Sequence, residues 1–300
     1  PPLHARFPGA TIHVWCKDYT APVARLIPHV SAVVAADPFW AIPPGGARPP
    51  IRPFVRSIAK IRRARYDVAV LSEAPWRAAA AVAAGRVPVR IGLARHRNSL
   101  FLTDVLPAAD GHKPVLAEQA RLLEPFGIPP GDPRYRLDPA PLESVRRELA
   151  ERLPPRFVAL HPFAGARDRC VPLAQWTQVA FALQGRGQTV LWVGTSRELH
   201  ELRATYTHPK GAYVDHLGDR SLGMTAAALS LASVVVGHDS GPLHVAGAFG
   251  VPVVGIFAPG QPDRTFPQGV GPSRMLFRPS PLDISASMIL SEIDALASAG

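Results

Sequence analysis

Asp239, Ser240 and Gly241 stand together, with His238 just before them and His244 one helical turn beyond. Residues of these types in this order are suited to holding a phosphate. A turn of small residues lets an anion reach the backbone, and a helix that starts there aims free N–H groups and a positive dipole end at it. The flanks support such a turn. Val234 to Val236 is a β-branched run, about Pro242 to Phe249 a small-residue helix, and Val253 to Phe257 an apolar strand running into a Pro/Gly loop. That is a strand, turn, helix, strand unit of a parallel α/β sheet. The turn also has a plain reading, in which Asp239 or Ser240 merely caps the helix, and on its own it leaves both open. The adjacency of His238, Asp239 and Ser240 does not make a catalytic triad, because triads are assembled in space.

Other residues join the list. A loop from His161 to Pro172 follows the strand Phe157–Leu160 and carries Ala164, Gly165, Arg167 and Arg169. By themselves its arginines are ordinary exposed charges. Glu198 lies beyond the strand Thr189–Val193. A carboxylate there suits ribose hydroxyls, and equally suits the first turn of a helix. Arg52, Arg56, Lys60 and Arg63 fall at helical spacing within a helix from about Pro53 to Arg65, with Phe54, Ile58 and Ile61 on another face. Such a stripe is either a solvated face or a dock for phosphates or an anionic membrane surface. No CxxC, HExxH or DxD occurs, so no metal site is readable. No G-x-G-x-x-G follows a strand, which counts against a dinucleotide oxidoreductase.

The elements that position these residues alternate along the chain. Strands are expected at 11–15, 31–35, 66–71 and 89–93, with helices at 21–27, 53–65 and 78–84 and a helix starting at His112. Gly127 to Pro141 reads as a linker. After it come a helix from Leu142 to Leu153, helices at 173–184 and 284–297, and a strand from Met275 to Phe277. The chain has 300 residues, 47% of them hydrophobic, which suits a globular protein of one or two domains. Its net charge is +10, and residues 1–150 hold 21 Lys/Arg against 12 Asp/Glu. The basic excess therefore sits in the first half, which is expected to meet something acidic. No apolar run reaches the ~18–20 residues of a membrane span. Two cysteines far apart, Cys16 and Cys170, argue for a reducing compartment. The opening residues read as folded structure rather than a signal peptide, so a cytoplasmic setting is expected.

The stretch D-S-G-P-x-H-x-A-x-A-x-G-x-P, followed by F-A-P-G-x-P, resembles the donor-site signature of glycosyltransferase family 9, the ADP-heptose:lipopolysaccharide heptosyltransferases. Asp239, Ser240, Gly241, His244, Ala246, Ala248, Gly250, Pro252, Phe257 and Pro259 carry it. Val89–Leu93 with His112–Val115, and the loop at His161, also resemble family segments. That loop departs twice: Arg169 stands where the family usually has lysine, and Val171 where it has tryptophan. Arginine keeps the charge and can grip a diphosphate bidentately.

The resemblance implies an α/β fold of GT-B architecture, two Rossmann-like domains facing across a cleft. Residues 1–140 would bind the acceptor and residues 141–300 the nucleotide-sugar donor. The donor would be ADP-heptose, held by Ala164, Gly165, Arg169, Glu198, Arg220, Asp239, Ser240, Gly241 and His244. Glu198 would meet the ribose, the turn opened by Arg220 the adenine, and Asp239 the sugar or its own loop. The acceptor would be the anionic lipopolysaccharide core at the inner membrane's cytoplasmic face, with Arg52, Arg56, Lys60 and Arg63 as candidate contacts. No metal, cofactor or nucleic acid is implied. The family's catalytic aspartate follows a first strand that this sequence lacks, so the first domain is expected to be truncated. No residue here matches that aspartate, and Asp18 is the nearest carboxylate by topology. The rival readings are a non-catalytic nucleotide or sugar binder and, less favoured, the oxidoreductase.

Overall fold

Parallel strands connected by helices build both halves of the chain, in a computed structural model that describes residues 1–41, 47–72, 75–205 and 222–298. Two compact units divide it: residues 1–25 with 29–133, and residues 26–28 with 134–300.

The first unit contains α1 (Pro2–Arg6), β1 (Ile12–Cys16), α2 (Ala21–Ala24), β2 (Val30–Ala35), α3 (Ile51–Ala64), β3 (Val68–Leu71), α4 (Trp76–Ala84), β4 (Val89–Leu93), β5 (Asp104–Leu106) and α5 (Val115–Ala120). β1 and β2 pair in one parallel sheet, and β3, β4 and β5 in another, in that order. Ile61 of α3 and Val82 of α4 pack with Leu71 and Leu102, while Ile91 and Leu93 of β4 cover Leu122.

Three expectations shift. α2 stops at Ala24 rather than Ile27, because Pro28 disfavours helical backbone in the residue before it. α5 begins at Val115 rather than His112, because Pro114 excludes Lys113 from a helix in the same way. Ser57, not Ile58, completes the buried face of α3, and its hydroxyl donates to the Phe54 carbonyl at 2.6 Å.

The second unit contains α6 (Glu143–Arg152), β6 (Phe157–His161), α7 (Leu173–Gly185), β7 (Thr189–Trp192), α8 (Ser196–Thr205), α9 (Leu222–Leu229), β8 (Val234–His238), α10 (Gly241–Ala248), β9 (Val253–Phe257), α11 (Pro262–Thr265), β10 (Ser273–Phe277) and α12 (Ala286–Ala297). Its sheet has the order β10-β9-β8-β6-β7, every described pair parallel. β6 and β9 are buried from end to end, as their unbroken apolar runs require in a sheet covered on both faces. Trp176, Val179 and Leu183 of α7 and Ile289 and Ile293 of α12 pack with Leu160, Trp192, Val236 and Ile256.

This strand order positions the site. From β6 the chain moves to β7 on one side, then returns to β8 on the other. The two connections diverge, so a crevice opens at the carboxyl ends of β6 and β8, where open α/β sheets bind ligands.

The approach to this unit is sewn down. The N–H groups of Tyr135 and Leu137 donate to the carbonyls of Gln268 and Ala248 at 2.8 and 2.9 Å. The segment around Gln268 lies so close to α10 that a Cβ on Gly269 would come 2.2 Å from the Gly247 carbonyl carbon.

Candidate functional site

α10 begins at the crevice. Ser240 occupies the N-cap position in extended conformation, and no side chain caps the helix. Its hydroxyl turns back to donate to the His238 carbonyl at 3.0 Å. Neither Asp239 nor Ser240 therefore does what the plain capping reading asks, and the first backbone N–H groups are left for a ligand. Gly241 is exposed, and a Cβ there would meet nothing within 4 Å. The fold itself does not need that glycine.

The loop after β6 brings a cation to this turn. Ala164, Arg169, His238 and Asp239 line one recess, walled on the far side by Phe257 to Gly260. The Arg169 guanidinium is exposed and has no hydrogen bond or ion pair among the described residues. Arg167 differs: Glu201 holds it through two bonds of 3.0 and 2.6 Å. His238 explains how the loop is fixed. Its ring is 1% exposed, and Nε2 accepts the Val171 N–H at 3.1 Å, two residues from Arg169. Burial, with His161 adjacent, pushes the His238 ring down to about 4, so it stays neutral and able to accept.

Asp239 is held from both sides. Thr265 Oγ1 donates to Oδ2 at 2.8 Å, and His244 Nε2 faces Oδ1 at 3.4 Å. The edge of the Tyr135 ring meets the His244 ring, centroids 6.1 Å apart. Burial pushes the carboxyl up, but the bonds from His244 and Thr265 and the pull of His244 and Arg169 outweigh it, holding Asp239 below its ordinary range.

The remaining expected residues fall as follows. Gly165 is exposed in the same loop as Arg169. Glu198 sits in the first turn of α8 and closes a reciprocal cap: its Oε2 accepts the Thr195 N–H at 2.7 Å, and its own N–H approaches Thr195 Oγ1 at 3.4 Å. Arg220 lies outside the described residues. Asp18 is exposed on the turn after β1, its N–H donating to Asp37 Oδ1 at 3.1 Å. Arg52, Arg56, Lys60 and Arg63 are all exposed along α3. Among the described residues no group of His, Cys, Asp and Glu is arranged to hold a metal, and no helix is long and apolar enough to cross a membrane.

Thr265 and the buried His238 were missed by sequence reasoning. The available signal was topological: loops leaving the carboxyl ends of adjacent strands converge. The loop after β9 therefore had to return beside the turn after β8.

Comparison with known proteins gives the family and the fold. The family glycosyltransferase family 9 (heptosyltransferase) matches residues 54–278. Lipopolysaccharide heptosyltransferase 3 of Escherichia coli is 26% identical over 269 residues, which cover 85% of this chain and 76% of that protein. Among solved structures, E. coli ADP-heptose LPS heptosyltransferase II is similar with a TM-score of 0.78 at 20% identity, over 98% of this chain and 92% of that one. E. coli heptosyltransferase WaaC with ADP gives 0.71 at 15% identity, over 98% and 93%. The structural likenesses establish the fold, and the match over 54–278 establishes the family.

Proposed function

Because the chain belongs to glycosyltransferase family 9, we propose that it moves a heptose from ADP-heptose to the inner core of lipopolysaccharide. It is a glycosyltransferase, which sets aside the non-catalytic binder and the oxidoreductase. The observation that carries the donor reading is the uncapped start of α10 beside the unpaired Arg169, at the point where the strand order diverges.

In this reading the sugar's anomeric carbon leaves the diphosphate for an acceptor hydroxyl, and ADP departs with added negative charge. The Gly241 turn, the α10 dipole and Arg169 stabilise that charge. Ala164 and Gly165 leave room for the diphosphate. Glu198, already fixed by Thr195, offers its carboxylate to the ribose, and Arg220 is assigned to the adenine from the family resemblance alone. Asp239 meets the donor sugar, with His244 beside it. Arg52, Arg56, Lys60 and Arg63 face the phosphates and carboxylates of the acceptor at the inner membrane's cytoplasmic face. The acceptor proton goes to a base. Asp239 is not assigned that role, and Asp18 is the carboxylate to mutate first for it.

A donor panel of ADP-heptose, ADP-glucose and UDP-glucose with a lipopolysaccharide core acceptor, read by mass spectrometry, tests this. We expect ADP release and one heptose added from ADP-heptose alone. Preference for another nucleotide sugar would refute the donor assignment.

A further inference from the structure

α11 has four residues, Pro262–Thr265, and no role in the function described so far. It follows the Pro259–Gly260 wall of the recess, and from it one hydroxyl reaches across to the turn after β8. Thr265 Oγ1 lies 2.8 Å from Asp239 Oδ2, a charge-assisted bond between residues 26 positions apart, and 3.2 Å from the Gln261 carbonyl of its own turn. The opposite oxygen, Oδ1, faces His244 Nε2. Two contacts on two different oxygens fix the carboxylate plane, whereas either alone would let it rotate. Thr265 is half-buried, so this bond is not simply exchanged with water.

We propose that Thr265 is a positioning residue whose hydroxyl holds the Asp239 carboxylate in the orientation the donor sugar requires. This rests on the reading of Asp239 as the sugar contact. The α11 segment thereby ties one wall of the recess to the turn that receives the diphosphate. The charged groups that act on Asp239 are His244 from α10 and Arg169 from the loop after β6, and α11 itself carries Asp263 and Arg264. Losing the Thr265 bond removes one influence that keeps the carboxyl acidic, while His244 and Arg169 remain.

The test uses the full chain and its Thr265→Val, Thr265→Ser, Asp239→Ala and Thr265→Val/Asp239→Ala variants. Carbon-detected NMR follows the Asp239 carboxyl with pH, and calorimetry compares intact ADP-heptose with ADP, which lacks the sugar. Thr265→Val is expected to raise the pH at which Asp239 titrates and to weaken ADP-heptose about tenfold, leaving ADP within about twofold. Thr265→Ser restores both. On the Asp239→Ala background, Thr265→Val adds no further loss, because it acts through a carboxylate already removed. Should the valine variant not fold, Thr265→Ala makes the same deletion. An unchanged Asp239 titration and unchanged ADP-heptose affinity in Thr265→Val overturn the inference. So does an equal loss on both backgrounds, which would mark a purely structural effect. If Asp239→Ala itself leaves ADP-heptose affinity intact, the sugar-contact reading fails first, and the titration still reports whether Thr265 holds the carboxyl.

Discussion

The Arg169 guanidinium stands beside the start of α10 with no anion of its own, while its neighbour Arg167 is taken by Glu201. A free cation next to open N–H groups is what a departing diphosphate needs. We expect Arg169→Ala to weaken ADP binding by about 1.5–3 kcal/mol in calorimetry, as for a lost charge-assisted contact. His238 supports that cation from below, and its chemistry gives a second expectation. A neutral buried imidazole with a pKa of about 4, against about 6.5 unfolded, leaves the unfolded chain binding the extra proton between those values. Its contribution is intact above about pH 6.5 and declines as pH falls towards 4, by on the order of 3 kcal/mol. Thermal melts should therefore lose stability across that window, with His161, also lowered by burial, contributing in the same direction. His238→Gln should flatten the profile; an equally steep one would assign the effect elsewhere. The Asp239–Ser240–Gly241 turn was legible as a candidate because its spacing is local, whereas Arg169 was named only through the family resemblance and reads alone as an exposed charge. Thr265 and His238 were not, because their partners, Asp239 and Val171, come close only once strands pair.

At the scale of elements, α10 is set by two glycines with opposite demands. Gly241 has open space around it, so Gly241→Val should fold normally by circular dichroism yet lose ADP binding, its side chain filling the anion's place. Full binding by that variant would refute the role. Gly269 is packed against Gly247, and Gly269→Ala should lower stability by about 2 kcal/mol or more in urea unfolding, since backbone must move. The stripe on α3 makes a further expectation. Reversing two of Arg52, Arg56, Lys60 and Arg63 should reduce binding to anionic liposomes or acceptor and spare ADP affinity; equal loss of both would indicate misfolding. Strands and helices were readable here because apolar period and turn residues are local signals. The starts and stops moved where proline intervened, at Pro28 and Pro114, and where a serine satisfied its own hydroxyl and joined the core, at Ser57.

Across the whole molecule, each unit has its own parallel sheets, and the residues proposed for the donor all belong to the second. The α/β class followed from the alternation of strand and helix patterns alone. Strand order did not, because pairing is decided by long-range contacts, and strand order is what makes the turns after β6 and β8 neighbours. The basic excess lies in residues 1–150, a span that contains the whole first unit. The most direct measurement is a calorimetric titration of this chain with ADP, UDP and NAD, repeated on Gly241→Val. The account predicts that ADP binds, that UDP and NAD bind far more weakly, and that Gly241→Val abolishes the ADP signal while remaining folded. Undiminished ADP binding by Gly241→Val, or NAD binding as tight as ADP, would contradict it.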